Sequence, residues 1–254
     1  MSRILILNPN SSRACTDGIA AAVAPWQFAG GPQIEVATLE EGPPAIYGWR
    51  EWHAVVEPLC RFIEQQDADY TPPDAYIIAC GSDPGIDPLR ALTPRPVFGV
   101  FRSAVAAAVS RAERFGVIAL VDQSVERHLA ALRAMGLERR LAAEVALNVS
   151  METLLDENAA RARLIDAGWE AKKAGSQVLV LGCTGMAHHR PFIEESVGVP
   201  VIEPCQAAVS LAFTVVVKEQ GGALPRTPPN PLRALRATAM PVETVTQLVG
   251  SGVR

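Results

Sequence analysis

The chain has 254 residues, 49% hydrophobic and 20% charged, enough apolar material for one large globular unit or two small domains. Its net charge of −4, with no stretch that interleaves Lys and Arg with aromatics, excludes the basic footprint of a nucleic-acid binder. Only Lys172, Lys173 and Lys218 could form a Schiff base, and none lies in a Gly-rich or strand-end setting.

Met1-Ser2-Arg3 leads into the apolar run Ile4–Leu7, which ends at Asn8-Pro9-Asn10. The run is too short for a signal-peptide core or a membrane span, so a cytoplasmic protein with reduced thiols is expected. Further short, nearly continuous apolar runs follow at Ile34–Thr38, Ala75–Ala79, Val97–Val100, Gly116–Val121, Val178–Leu181 and Pro200–Ile202. Such runs suit parallel strands covered on both faces. Helical patterns separate them, at Trp52–Gln66, Ser103–Glu113, Ser124–Met135, Met151–Ala174 and Cys205–Glu219. This alternation predicts an α/β fold with parallel sheets. From Gly221 the character changes. Pro225, Pro228, Pro229 and Pro231 mark an extended segment, and a weakly helical stretch broken at Pro241 follows; both are expected to wrap the surface or a neighbouring subunit.

The chain also resembles itself. Ile4-Leu-Ile-Leu-Asn-Pro-Asn-Ser-Ser12 matches Val117-Ile-Ala-Leu-Val-Asp-Gln-Ser124 as strand, polar loop and helix. Tyr76-Ile-Ile-Ala-Cys80-Gly81 matches Leu179-Val-Leu-Gly-Cys183-Thr184, and Pro96-Val-Phe-Gly-Val100 matches Pro200-Val-Ile-Glu-Pro204. The cysteines are 103 residues apart and the prolines 104, in the same order. Two pseudo-symmetric, doubly wound α/β domains are therefore predicted, residues 1–100 plus 206–254 and residues 101–205, with the active site in the cleft between them.

Five cysteines, Cys15, Cys60, Cys80, Cys183 and Cys205, form no CxxC pair and fit neither a disulfide framework nor a zinc site. Cys80 and Cys183 stand out because each follows an apolar strand and enters a loop containing Gly and a hydroxyl residue, Gly81-Ser82 and Thr184-Gly185. In parallel α/β folds reactive groups gather at such strand ends. A cysteine after a strand is more often a small buried hydrophobe than a catalyst, and it is the matched pair that shifts the balance. Two opposed thiols suit the inversion of a carbon acid, one removing a proton from one face while the other supplies one to the opposite face. The planar intermediate needs donors on its oxygens. Asn10, Ser11, Ser12, Ser82 and Thr184, with the amides near Gly81 and Gly185, are the candidates.

The sequence resembles the hydantoin/allantoin racemase branch of the Asp/Glu racemase superfamily from about residue 3 to residue 219. The resemblance rests on Asn8-Pro9-Asn10-Ser11-Ser12, on Gly42-Pro43-Pro44-Ala45-Ile46-Tyr47-Gly48, and on Cys80-Gly81-Ser82-Asp83-Pro84-Gly85. It extends to Leu181-Gly182-Cys183-Thr184-Gly185-Met186-Ala187 and to Gly198-Val199-Pro200-Val201-Ile202. It implies a racemase with two pseudo-symmetric domains, no metal and no pyridoxal phosphate or other cofactor, a small-molecule substrate and frequent assembly as a homo-oligomer. Cys80 and Cys183 would be catalytic, Asn10 and Ser11 would hold a substrate carbonyl or carboxylate, and Ser82 and Thr184 would stand beside the thiols. By analogy with decarboxylase relatives, Tyr47 is a further candidate for substrate contact.

The chain departs from the family where Arg102 stands in place of a Glu. If Arg102 reaches the pocket, an anionic substrate is favoured; a solvated helix-start position is the preferred alternative. Cys205 is expected to pack, as are Cys15 and Cys60. Asp83 reads as a local turn acceptor, His53 and His128 as surface or helix-face residues, and His188-His189 as a helix start beside the cleft. Asp122-Gln123-Ser124, the pseudo-repeat of the Asn10 loop, is a lesser candidate for substrate contact. A single-thiol decarboxylase or dicarboxylate cis–trans isomerase of the same fold, and a non-catalytic binding protein, are the competing functions.

Overall fold

The computed structural model describes residues 2–156 and 158–216. In chain order the first elements are β1 (Arg3–Asn8), α1 (Arg13–Val23), β2 (Gln33–Thr38), α2 (Trp49–Ala54), α3 (Val56–Ala68), β3 (Ala75–Ile78), α4 (Ile86–Leu92) and β4 (Val97–Gly99). There follow α5 (Val100–Arg111), β5 (Phe115–Ala119), α6 (Asp122–Ala134), β6 (Leu141–Ala146), α7 (Met151–Leu155) and α8 (Arg161–Lys173). The last are β7 (Val178–Leu181), α9 (Arg190–Val197), β8 (Val201–Ile202) and α10 (Pro204–Val216). The strands form two parallel sheets of identical order, β2-β1-β3-β4 and β6-β5-β7-β8. The internal repeat is thus a repeat of topology.

Alternation along each strand divides its side chains between two covered faces. In β1, Ile4 and Ile6 join one apolar cluster while Leu5 and Leu7 join another. In β7, Leu179 and Leu181 face one cluster, and Val178 and Val180 the other. Each such fully buried side chain contributes about 1.5–3 kcal/mol. Ala208, Val209 and Ala212 of α10 pack against Ile4, Ile6 and Ile77, returning the chain to the first sheet. Helix α5 bridges the sheets: Val100 packs with the first, while Phe101, Ala104 and Ala108 pack with Phe115, Val117 and Val180 of the second.

Three local expectations fail for identifiable reasons. Strand β6 is absent from the predicted list because Leu-Ala-Ala-Glu-Val-Ala is rich in residues of low strand propensity. The continuous helix expected over Met151–Ala174 is interrupted. Asp156 accepts hydrogen bonds from the amides of Asn158 (2.8 Å) and Ala159 (3.0 Å), and this turn separates α7 from α8. The helix expected over Trp52–Gln66 divides near Val55, since Pro58 in the first turn of α3 has no N–H to continue an earlier helix. The proline-rich segment from Gly221 lies outside the described residues. Among those residues, no helix is long and apolar enough to cross a membrane.

Candidate active site

Cys80 lies just past the end of β3, in a turn where Asp83 (φ 47°) and Gly85 (φ 69°) adopt left-handed backbone. Asp83 is fully buried, and its carboxylate accepts from the amides of Phe101 and Arg102, both at 2.9 Å. These are orphan donors of the first turn of α5, so Asp83 caps a helix whose own N-cap residue, Gly99, has no side chain. The site demands glycine at 99, because a Cβ there would stand 2.2 Å from the Asp83 carboxyl carbon.

Cys183 lies just past the end of β7 and opens a tight 3₁₀ turn, Thr184–His189. The preceding Gly182 donates to Ile118 O (2.8 Å), and a Cβ on it would stand 3.1 Å from His128 Cε1. His128 is fully buried, stacked on Phe101 at 4.3 Å and hydrogen-bonded through Nδ1 to Glu144 Oε1 at 2.5 Å. The pair forms a polar floor beneath the Cys183 strand end.

The two strand ends meet at their glycines. A Cβ at Gly81 would stand 1.9 Å from the Gly182 carbonyl oxygen and 3.3 Å from the Cys183 amide nitrogen. Backbone contact this close brings the Cys80 and Cys183 loops together along one seam. Both cysteines line a cavity of about 40 Å³ there, with Asn10, Cys15, Tyr47 and Thr184. Asn10 Oδ1 is occupied by the Ser12 amide (2.9 Å) and Asn8 Nδ2 (3.1 Å), which leaves its amide nitrogen as the group it can offer. Tyr47 crosses the seam: its hydroxyl accepts from the Met151 amide (3.1 Å) and its carbonyl from Arg127 (3.0 Å).

Burial pushes both thiols up, because a thiolate loses water. For Cys80 the rise is opposed by the Ser82 amide and hydroxyl, the latter 3.7 Å from Sγ, and by the Arg127 guanidinium. Cys183 is pushed up to about 12, opposed by the Gly185 amide alone, while Cys80 and Cys15 add to the rise. Arg127 is only 3% exposed; its Nε has no hydrogen-bond partner, and Glu51 and Glu126 act on its charge.

A family model described as Asp/Glu/Hydantoin racemase matches residues 4–212. The chain belongs to the Asp/Glu/Hydantoin racemase family. Among curated relatives, a hydantoin racemase from Paenarthrobacter aurescens is 36% identical over 217 residues, 84% of this chain and 91% of that protein. An allantoin racemase structure from Klebsiella pneumoniae superposes with a TM-score of 0.76 at 28% identity, covering 87% of this chain and 92% of that one. The allantoin racemase from Pseudomonas fluorescens gives 0.77 at 26% identity, covering 84% and 90%.

Within this racemase-family chain, the candidate residues Asn10, Tyr47, Cys80, Gly81, Cys183 and Thr184 line one cavity. Ser11, Ser12, Ser82 and Gly185 do not line it. Ser12 instead caps α1 through the Cys15 amide (3.3 Å), and the Ser11 amide donates to Pro43 O (3.0 Å). Ser82 is buried beside Cys80, and Gly185 offers its amide to Cys183.

Several readings need correction. Arg102 neither enters the cavity nor stands in solvent; it pairs with Asp83 at 3.3 Å and is 19% exposed. Asp83 is no local turn acceptor, since its partners lie 18 and 19 residues ahead. His128 is a core residue, a placement hidden because it depends on the unrecognised β6. Cys15, read as a packing thiol, lines the cavity from the first turn of α1; its place after the Asn8–Ser12 loop was the available clue. Cys205 packs as expected, wholly buried. Asp122 and Gln123 do not line the cavity; Asp122 instead pairs with Asn148. His189 is buried, its Nε2 2.9 Å from Leu154 O.

Proposed function

We propose that this protein is a cofactor-independent racemase of a 5-substituted hydantoin, allantoin or a related substrate whose C–H lies beside a carbonyl. Cys80 and Cys183 act as the two bases. The observation that carries the reading is the Gly81–Gly182 contact, which gathers both thiols into one cavity. In one direction the Cys80 thiolate takes the proton from carbon, forming S–H while the C–H electrons enter the enolate. The Cys183 thiol then gives its proton to the opposite face and becomes the thiolate. The reverse turnover exchanges the roles, so no external acid or base is consumed. Asn10 and the amides following each cysteine are the donors available to the enolate oxygens. The likeness to named hydantoin and allantoin racemases supports this substrate class.

The test is racemisation of single enantiomers of 5-substituted hydantoins and allantoin in D2O, followed by circular dichroism and by mass. Cys80→Ser and Cys183→Ser should each reduce racemisation by about 10²–10⁴-fold. Early in turnover the product should carry solvent deuterium while unreacted substrate retains hydrogen. Full activity in either variant would rule out the two-base mechanism and return the single-thiol chemistries.

A further inference from the structure

A second cavity, of about 250 Å³, lies between α1 and the Thr184–His189 turn. Its walls include Gly18, Ala21, Ala22, Pro25, Leu155 and Pro191, all small or apolar. Gln206 and His188 also border it; the Gln206 amide is committed to Ala22 O (2.9 Å) and to Arg190 (2.7 Å), and the His188 ring lies against that of His189 at 3.8 Å. Cys15 and Thr184 belong to both this cavity and the thiol cavity, so two small side chains form the partition.

The volumes matter. At about 40 Å³ the thiol cavity holds only a few water molecules, whereas small-molecule sites begin near 300 Å³. Joined across Cys15 and Thr184, the two spaces approach that size, and side-chain rotation is enough to open a partition of this kind.

We infer that the apolar cavity beside α1 receives the C5 substituent of the substrate, which makes this chain selective for hydantoins with a bulky apolar substituent over those with a small or polar one. The inference rests on the racemase reading above. The ring and its acidic carbon lie between the thiols, and the substituent passes between Cys15 and Thr184. A benzyl or branched alkyl group would exchange water for the apolar wall, a gain roughly proportional to the apolar area covered. A ureido group would lose hydrogen bonds to water, with few wall groups able to replace them.

Gly18 supplies the test. It lies in α1 at ordinary helical φ, and a Cβ there meets nothing within 4 Å. Gly18→Leu therefore fills the cavity while improving helix propensity, so a lower melting temperature is not expected. The wild type should favour 5-benzylhydantoin over 5-methylhydantoin and over allantoin by at least tenfold in kcat/KM. Gly18→Leu should reduce the benzyl-to-methyl ratio at least tenfold. Calorimetric binding of the same ligands is the parallel readout and does not require turnover. If the wild type binds with this preference and Gly18→Leu erases it, yet nothing is racemised, the racemase reading falls and the substituent site stands. A wild type without the preference, or a ratio unmoved by Gly18→Leu, overturns the inference.

Discussion

The two sheets share a strand order, and each delivers one cysteine from the end of its third strand, yet the surroundings of the two sulfurs differ. Cys80 has the Ser82 hydroxyl and the field of Arg127 to oppose its burial. Cys183 has the Gly185 amide and, 4.0 Å away, the sulfur of Met151. The helices after the fourth strands differ in the same manner. Glu203 caps α10 locally, through the amides of Cys205 (3.0 Å) and Gln206 (2.7 Å), whereas α5 takes its cap from Asp83 in the Cys80 loop. The fold repeats while the polar wiring does not, and the wiring favours the thiolate at Cys80. The two-thiol reaction proposed above would thus run from an asymmetric resting state.

The largest test of this contrast is removal of the caps. Asp83→Ala should lower stability by about 3 kcal/mol, because it strands two buried amides and the Arg102 charge and frees the Cys80 loop. Glu203→Gln keeps an acceptor at the α10 amides and should cost about 1 kcal/mol. Denaturant melts of both variants, with racemisation assays, make the comparison; equal losses would remove the distinction between a loop-tying cap and a local one. Next comes the seam. Gly81→Ala forces a methyl into the Gly182 carbonyl and should reduce racemisation about a hundredfold, since a shift near 1 Å suffices for that. Gly185→Ala meets side-chain ends, Met151 Cε at 2.9 Å and Leu154 Cδ2 at 3.2 Å, rather than backbone and should lose far less.

A smaller effect is expected from the cation. Arg127→Met removes the charge that favours the Cys80 thiolate. At pH 8 the alkylation of Cys80 by iodoacetamide, followed by mass spectrometry, should slow about tenfold while Cys183 is little changed. Equal slowing at both thiols would mean a general closing of the cavity rather than a field.

Much of this arrangement could be read from local patterns. The short apolar runs marked seven of the eight strands, and the repeated strand–Cys–Gly units marked the two loops that meet. What stayed hidden depends on partners distant in the chain. Strand β6 is carried by tertiary pairing with β5 and by the His128–Glu144 contact rather than by propensity. Asp83 and Arg102 look like turn and surface residues until α5 is seen to begin beside them. Arg127 stands in no motif, and only folding buries it against the Tyr47 carbonyl. Cys15 was overlooked because its neighbours in sequence mark a helix, and only the approach of Thr184 to α1 turns it toward the thiols.

The least conspicuous difference should emerge in alkali. Burial raises Cys80, Cys183 and Cys205 above the range of an unfolded thiol, about 8.5. Between that value and the folded value of about 12 for Cys183, the native state binds more protons than the unfolded chain. Stability is therefore fully present below about pH 8.5 and falls as pH rises towards 12, by about 1.4 kcal/mol near pH 9.5 from Cys183, with Cys80 and Cys205 adding losses of the same sign. Because Arg127 partly offsets burial at Cys80 and, among the described residues, no cation does so at Cys183, the two thiols contribute unequally to this slope. Thermal melts from pH 8 to 10 should show a flatter decline for Cys183→Ala than for Cys80→Ala. If the two variants flatten it equally, the sulfurs sit in equivalent fields, and the bias towards a Cys80 thiolate is lost along with the asymmetric resting state.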